Sequence, residues 1–242
     1  MRDANHFLFF SVVIPAHNEE GYIDKTLHSL KTIAYPKDSY EVIIVQNGST
    51  DSTEKIIREI SRDEFKILTI QIGNVSVAKN VGLEQVALKS DWVILLDADT
   101  YFGQSFLQDL NEFLLGRKNQ NRSCGMLSLL PDPDSRLARG WYHFYNFANH
   151  ATRTTRSIQI LNSDILRANN LRCNELLTFD EDTELLGKCK KYGKYFYFVT
   201  DQVFSSTRRF DRNGWVKQLF IWISWHFRPY SKKMKINYPV VR

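Results

Sequence analysis

Apolar positions in this chain gather into four short, nearly unbroken runs: Phe7 to Ile14, Val42 to Val45, Ile67 to Ile70 and Val93 to Leu96. Runs of this length without polar alternation are expected of strands covered on both faces, as in a parallel sheet. Between them the spacing becomes helical. Ile23, Leu27 and Leu30 fall at i, i+4 and i+7, and Ile56, Ile57 and Ile60 mark a second amphipathic segment. The second opens on Asp51-x-x-Glu54, which predicts a capping box with Asp51 as N-cap. A third helix is predicted over about 77–88, with Gly82 where a close approach to the sheet tolerates only a small residue.

Alternating β and α elements predict an α/β fold: a doubly wound, mostly parallel sheet over about residues 7–100, with ligands gathered at the carboxyl ends of its strands. The second half is less regular. Pro131-Asp132-Pro133-Asp134 reads as a turn, Trp141 to His150 as an aromatic helix and Glu181 to Tyr192 as another helix. No repeat or linker divides the chain, so one compact unit is expected. The composition, 43% apolar and 24% charged, excludes disordered and fibrous classes.

Cys124, Cys173 and Cys189 are odd in number, far apart and without metal spacing, so reduced thiols are expected rather than a disulfide framework. No window approaches the roughly 18 apolar residues of a spanning helix, and Phe7 to Ile14 lacks the cleavage site of a signal peptide. A cytoplasmic location is therefore expected. The net charge of +5 favours anionic partners: phosphates, nucleic acid or an acidic membrane face.

Two acidic groups are the sharpest candidates for chemistry. Asp97-Ala98-Asp99 follows the fourth apolar run directly, and residues i and i+2 of extended backbone point the same way. Two carboxylates converging there call for a hard cation, Mg²⁺ or Mn²⁺; the plain reading is a solvated Asp-rich turn. The second group is Asp180-Glu181-Asp182-Thr183-Glu184. It reads either as an acidic helix start favoured by the macrodipole, or as the source of a general base for a hydroxyl. The loops Pro15 to Glu20 and Gln46 to Asp51 fit turn and cap chemistry, which gives no reason for them to face the same sheet edge as Asp97.

These segments, taken in order with Val77-Ala78-Lys79-Asn80-Val81-Gly82-Leu83, resemble glycosyltransferase family 2 over about residues 8–200. The resemblance implies a GT-A fold and an enzyme of the hexosyltransferase type (EC 2.4), moving a sugar from a nucleotide-diphosphate donor to a hydroxyl with inversion. It further implies a nucleotide-binding part over about 7–100 and an acceptor-side part over about 101–210, with a C-terminal apolar and basic tail over 211–242. Pro15, Ala16, His17 and Glu19 match the loop that holds the nucleoside. Gln46 falls where an aspartate contacts the base, and Lys79 where an arginine is common near base and diphosphate. Asp97, Ala98 and Asp99 match the diphosphate motif, with Asp97 and Asp99 as ligands of Mg²⁺ or Mn²⁺. Asp182 matches the catalytic base, with Glu181 beside it.

The sequence departs from the family at Gln46, which leaves uracil, guanine and thymine open as the base. It departs again at Gln218-Leu219-Phe220-Ile221-Trp222, where processive synthases carry Gln-x-x-Arg-Trp, and this disfavours a polymerase. Arg208 and Arg209 are read as a clamp for donor or acceptor phosphate, or as a solvated basic turn. Trp215 to Phe227, followed by Lys232, Lys233 and Lys235, is read as core packing, a dimer contact or a peripheral membrane contact over 215–235 at the cytoplasmic face. The aromatic stretch holding His143 and His150 is core or the lining of an acceptor pocket. Two other classes are weighed. A non-catalytic nucleotide-sugar-binding relative is the alternative to an enzyme. A nucleic-acid binder ranks last, because the basic residues are dispersed and no recognition motif is present.

Overall fold

The apolar runs become the inner strands of one sheet, and the amphipathic segments become helices on its faces. The computed structural model describes residues 6–71, 73–116, 121–154, 157–177 and 180–226. The first half alternates β1 (Phe10–Ala16), α1 (Ile23–Lys31), β2 (Tyr40–Asn47), α2 (Thr53–Ser61), β3 (Lys66–Ile70), α3 (Val75–Glu84) and β4 (Trp92–Leu95). The chain continues through β5 (Thr100–Phe102), α4 (Phe106–Leu115), β6 (Arg122–Leu127), β7 (Leu130–Asp132), α5 (Arg136–Thr152) and β8 (Gln159–Asn162). It then forms α6 (Ser163–Ala168), α7 (Glu181–Cys189), β9 (Lys194–Phe198), β10 (Val203–Ser206), α8 (Arg208–Asn213) and α9 (Trp215–His226).

The main sheet has the order β3-β2-β1-β4-β8-β6-β9, and a small second sheet has the order β5-β10-β7. β1 runs parallel to β2 and β4, while β8 runs antiparallel to both β4 and β6. β4 and β6 therefore point the same way, and β9 lies parallel to β6. The less regular half of the sequence thus completes the sheet begun by the first.

Alternation along the strands divides the core in two. Val12, Ile14, Ile44 and Ile94 pack with Leu27, Leu107 and Leu110 on one face. Val13, Val45, Val93 and Leu95 pack with Ala78, Leu185 and Leu186 on the other. Gly82 brings α3 down onto this second face, where a Cβ would lie 2.3 Å from Val13 Cγ1 and 3.3 Å from Val45 Cγ2. Val13 is fully buried and too short to swing aside. Gly82→Ala is therefore expected to cost about 1–3 kcal/mol through overpacking, despite alanine's better helix propensity. Urea unfolding at pH 7 checks this, and an unchanged midpoint would show slack between α3 and the sheet.

Several boundaries differ from the expectations. β1 starts at Phe10 because the preceding amides are taken by side chains: Leu8 N–H donates to Asn111 Oδ1 (2.9 Å) and Phe9 N–H to Asp91 Oδ2 (2.7 Å). β3 is the sheet edge and is only partly covered, so the third apolar run is not a fully buried strand. The capping box is not formed as expected. Ser52 occupies the N-cap of α2 without a side-chain bond, and Asp51 instead accepts from the amides of Thr53 (3.0 Å) and Glu20 (3.3 Å). α3 begins earlier than predicted because Asn74 caps it, accepting from Ser76 and Val77 N–H. The predicted turn at Pro131 is in part strand: Pro131 and Asp132 pair with Ser205 and Ser206 before a cis Asp132–Pro133 bond.

The aromatic helix divides between the readings offered for it. Tyr142 is buried, whereas Phe144 and Phe147 are exposed. Trp215 stacks on Phe210 with ring centroids 4.8 Å apart and meets Trp141 edge-on, so the head of α9 packs on the body of the protein. Val216 and Phe220 on the same helix are exposed. Phe227 and the lysines at 232, 233 and 235 lie outside the described residues. Among the described residues no helix is long and apolar enough to cross a membrane. The three cysteines are buried and unpaired by disulfides.

Candidate active site

The loops after β1, β2 and β4 leave the same edge of the sheet, because these three strands are parallel neighbours. The first two loops are sewn together. Asn18, at φ 54°, accepts from Thr50 N–H through Oδ1 (2.7 Å), Glu19 N–H donates to Thr53 Oγ1 (2.6 Å), and the His17 ring Nδ1 lies 2.7 Å from Asn47 O. Ala98 is anchored by Thr26, whose hydroxyl donates to its carbonyl (2.8 Å). The candidate residues Pro15, Ala16, His17, Glu19, Gln46, Asp97, Ala98 and Asp99 therefore share one edge.

Asp97, two residues past Leu95, lies toward the face that α3 and α7 cover, near Lys79 and Glu181, whereas Asp99 sits in the following turn against Arg208. There Lys79 reaches out of α3, with its ammonium 3.1 Å from Glu181 Oε1 and also bonded to Asp182 Oδ1. Lys79, Glu181 and Asp182 are all buried. Gln159 Nε2 donates to the same Asp182 oxygen (2.8 Å). Burial drives the Asp182 carboxyl above its ordinary range, Lys79 opposes the rise, and Glu181 and Asp97 add to it. Asp97 is likewise raised, first by burial, with Lys79 pulling down and Asp99 pushing up. Lys79 itself is held well above its usual range: burial favours the neutral amine, but the carboxylates of Asp182 and Glu181 outweigh it.

On the outer side of the site, β10 pairs with β5 and delivers Arg208 beside the acidic loop, with Ser206 N–H donating to Asp99 O (3.2 Å). Arg208 grips Glu19 with two bonds (2.5 and 2.8 Å) and lies 3.0 Å from Asp99 Oδ2. Its guanidinium also covers the Tyr22 ring at 4.4 Å. Arg208 is thus a nearly buried ion-pair partner at the head of α8, not part of a solvated turn. Burial lifts Glu19 to about 7 against the pull of Arg208. Arg209 acts on Asp97 through space and lowers its pKa.

Five carboxylates (Glu19, Asp97, Asp99, Glu181 and Asp182) thus face three cations, Lys79, Arg208 and Arg209. With every group ionised the site carries an excess of two negative charges, and its donors are hard oxygens, a set that suits Mg²⁺ or Mn²⁺. Among the described residues no cluster of three or more His, Cys, Asp or Glu side chains is arranged as a metal cage.

Sequence reasoning missed three participants. Gln159 has no motif around it; it reaches Asp182 because β8 pairs with β4 in the register Leu95↔Gln159. Tyr22 is visible only as the floor under Arg208. Asn47 follows Gln46 at the end of β2, and parity sets the two on opposite faces of the sheet, Asn47 on the side of α3. Gln46 Oε1 and Asn47 Oδ1 are both buried without a hydrogen-bond partner among the described residues.

The family model described as Glycosyl transferase family 2 matches residues 11–125, which run from β1 through the acidic loop into β6. Just under half of the chain is thus similar to glycosyltransferase family 2. A curated relative, the minor teichoic acid biosynthesis protein GgaA of Bacillus subtilis, is 29% identical over 216 residues, spanning 78% of this chain and 46% of that protein. The crystal structure of Staphylococcus aureus TarS 1–349 in complex with UDP-GlcNAc superposes with a TM-score of 0.66 at 21% identity, over 83% of this chain and 59% of that one. A mannosyltransferase from Pyrobaculum calidifontis, solved with GDP-Man and Mn²⁺, gives 0.62 at 16% identity, over 95% and 68%. The fold is accordingly the GT-A fold of these solved structures. The chain spans less than half the length of GgaA.

Proposed function

We propose that this chain is a metal-dependent, inverting glycosyltransferase that carries a sugar from a nucleotide-diphosphate donor to a hydroxyl acceptor in glycan or cell-envelope synthesis. The observation that carries this reading is the gathering of Asp97, Lys79, Glu181 and Asp182 in one buried cluster, with Asp99 beside Asp97 in the turn that Arg208 meets. In this reading the loop of Pro15, Ala16, His17 and Glu19 holds the nucleoside, together with Gln46, whose unpartnered oxygen can accept from a base N–H. Asp97 and Asp99 would hold Mg²⁺ or Mn²⁺. Such an ion offsets charge developing on the leaving diphosphate. Asp182, ionised and oriented by Lys79 and Gln159, takes the acceptor proton as the hydroxyl attacks. Arg208 and Arg209 lie close enough to the acidic loop to share in binding a diphosphate once Glu19 and Asp99 release part of their hold.

The relatives support a nucleotide-sugar donor. One is named a poly(ribitol-phosphate) beta-N-acetylglucosaminyltransferase and was solved with UDP-GlcNAc, and another was solved with GDP-Man and Mn²⁺. They also favour a polymeric or lipid-linked hydroxyl as acceptor, to which a membrane contact through the exposed Val216 and Phe220 of α9 would give access. The test is calorimetric titration of UDP, GDP, dTDP and CDP with and without Mn²⁺ or Mg²⁺. One base is expected to bind in a metal-dependent way, and Asp99→Asn is expected to abolish the metal-dependent gain. Unchanged metal-dependent binding in the variant would remove Asp99 from the metal site. Absence of binding for every base would favour the non-catalytic alternative.

A further inference from the structure

A second concentration of charge lies at the opposite edge of the main sheet. β6 and β9 run in the direction of β4, so their first residues, Arg122 and Lys194, lie far from the ends that bear Asp97 and Asp99. The register sets Arg122 directly beside Lys194. Here α5 ends and brings His150 and Arg153, and α7 ends and brings Lys190, around a cleft of about 580 Å³. Among the described residues that line it there is no carboxylate.

Cations at the ends of α5 and α7 are partly explained by the negative ends of the helix dipoles. That explanation does not reach Arg122 and Lys194, which sit on strands. The Lys190 ammonium lies 5.0 Å above the Tyr195 ring and donates to Arg153 O. Burial and the nearby Arg153 charge lower the pKa of Lys190, so its positive charge is held at a cost. The Tyr195 hydroxyl is buried without a hydrogen-bond partner among the described residues, and the His150 ring stacks on Tyr197 with centroids 4.4 Å apart. The cleft therefore offers clustered cations, a phenol ready to donate and aromatic faces. An ester of phosphoric acid on a sugar or polyol has the matching parts: several acceptor oxygens, at least one negative charge and an apolar ring or carbon face.

We propose that this cleft is a second anion site, which takes a phosphate ester at the sheet edge opposite the donor site. The proposal does not depend on the transfer reaction. The ester can come from a soluble molecule or from the headgroup of an anionic lipid, and two probes separate these sources. With the full chain carrying ¹³C-labelled histidine, glycerol phosphate is titrated in one arm and phosphatidylglycerol vesicles, against phosphatidylcholine vesicles, in the other. The His150 ring signal is expected to shift and saturate with at least one probe, and the responding arm identifies the source. Arg153 and Lys194 are exposed, so Arg153→Gln/Lys194→Gln is expected to keep the wild-type thermal midpoint and to weaken that binding at least tenfold. Arg208→Gln, at the other edge, is expected to leave it unchanged. A His150 signal indifferent to both probes, or equal affinity in the cleft variant, would overturn the proposal.

Discussion

Asp182→Asn is expected to lower kcat for sugar transfer by about 10²–10⁴-fold, the usual contribution of a positioned general base, while the Kd of the preferred nucleoside diphosphate changes little. The amide preserves the shape of a side chain that is buried and held from two sides by Lys79 and Gln159. What it removes is the capacity to take a proton. A drop in kcat with donor affinity kept is the signature of an interaction made in the transition state; retained turnover would clear Asp182 of the role. The wild-type pH profile gives an independent check. Burial raises the Asp182 carboxyl above its ordinary range, and only the ionised form can act as a base. The acidic limb of kcat/KM is therefore expected to rise with pH and to level off above the ordinary carboxylate value of about 4. A limb already flat at pH 5 would contradict the placement.

Lys79→Met is expected to be the most destabilising single change in the site, costing about 3–5 kcal/mol at pH 7, the usual penalty for breaking a buried ion pair from one side. Methionine fills the space of the lysine stem but leaves Glu181 and Asp182 buried against Asp97 without their cation. The loss has a definite sign with pH. Without Lys79 the folded-state pKa values of Asp182 and Asp97 rise further above their unfolded values, so the folded variant binds protons that the unfolded chain does not. Its deficit relative to wild type is therefore expected to shrink as pH falls from 7 toward 5. Urea unfolding at both pH values measures this. A loss under about 1 kcal/mol at pH 7 would mean that the pair is not a stabilising contact.

The two residues differ in how far their roles can be read from amino-acid order. Asp182 is singled out by its resemblance to a family carboxylate, and the structure sets it against Lys79 and Gln159. Lys79 matches a position near base and diphosphate, yet its ammonium is taken up by Glu181 and Asp182, more than a hundred positions away. Arg208 fits a phosphate clamp and a solvated turn equally well by sequence; the pairing of β10 with β5 places it against Glu19 and Asp99. Gln159 is illegible in the sequence, because a single glutamine in a four-residue strand carries no local signal. Its role arises from one antiparallel register.

The amino-acid order alone determined the alternation of strands and helices in the first hundred residues, the close packing at Gly82 and the acidic loop after β4. Each follows from features within a short stretch of chain: an apolar period, a missing side chain, or two carboxylates two residues apart. The tertiary structure decided where β8 enters the sheet, which cations meet which carboxylates, and that a basic cleft forms at the far edge between β6, β9 and the ends of two helices. These are juxtapositions of residues distant in sequence. Their energies depend on burial and on charges a few ångströms apart, quantities that come into being only once the sheet has closed.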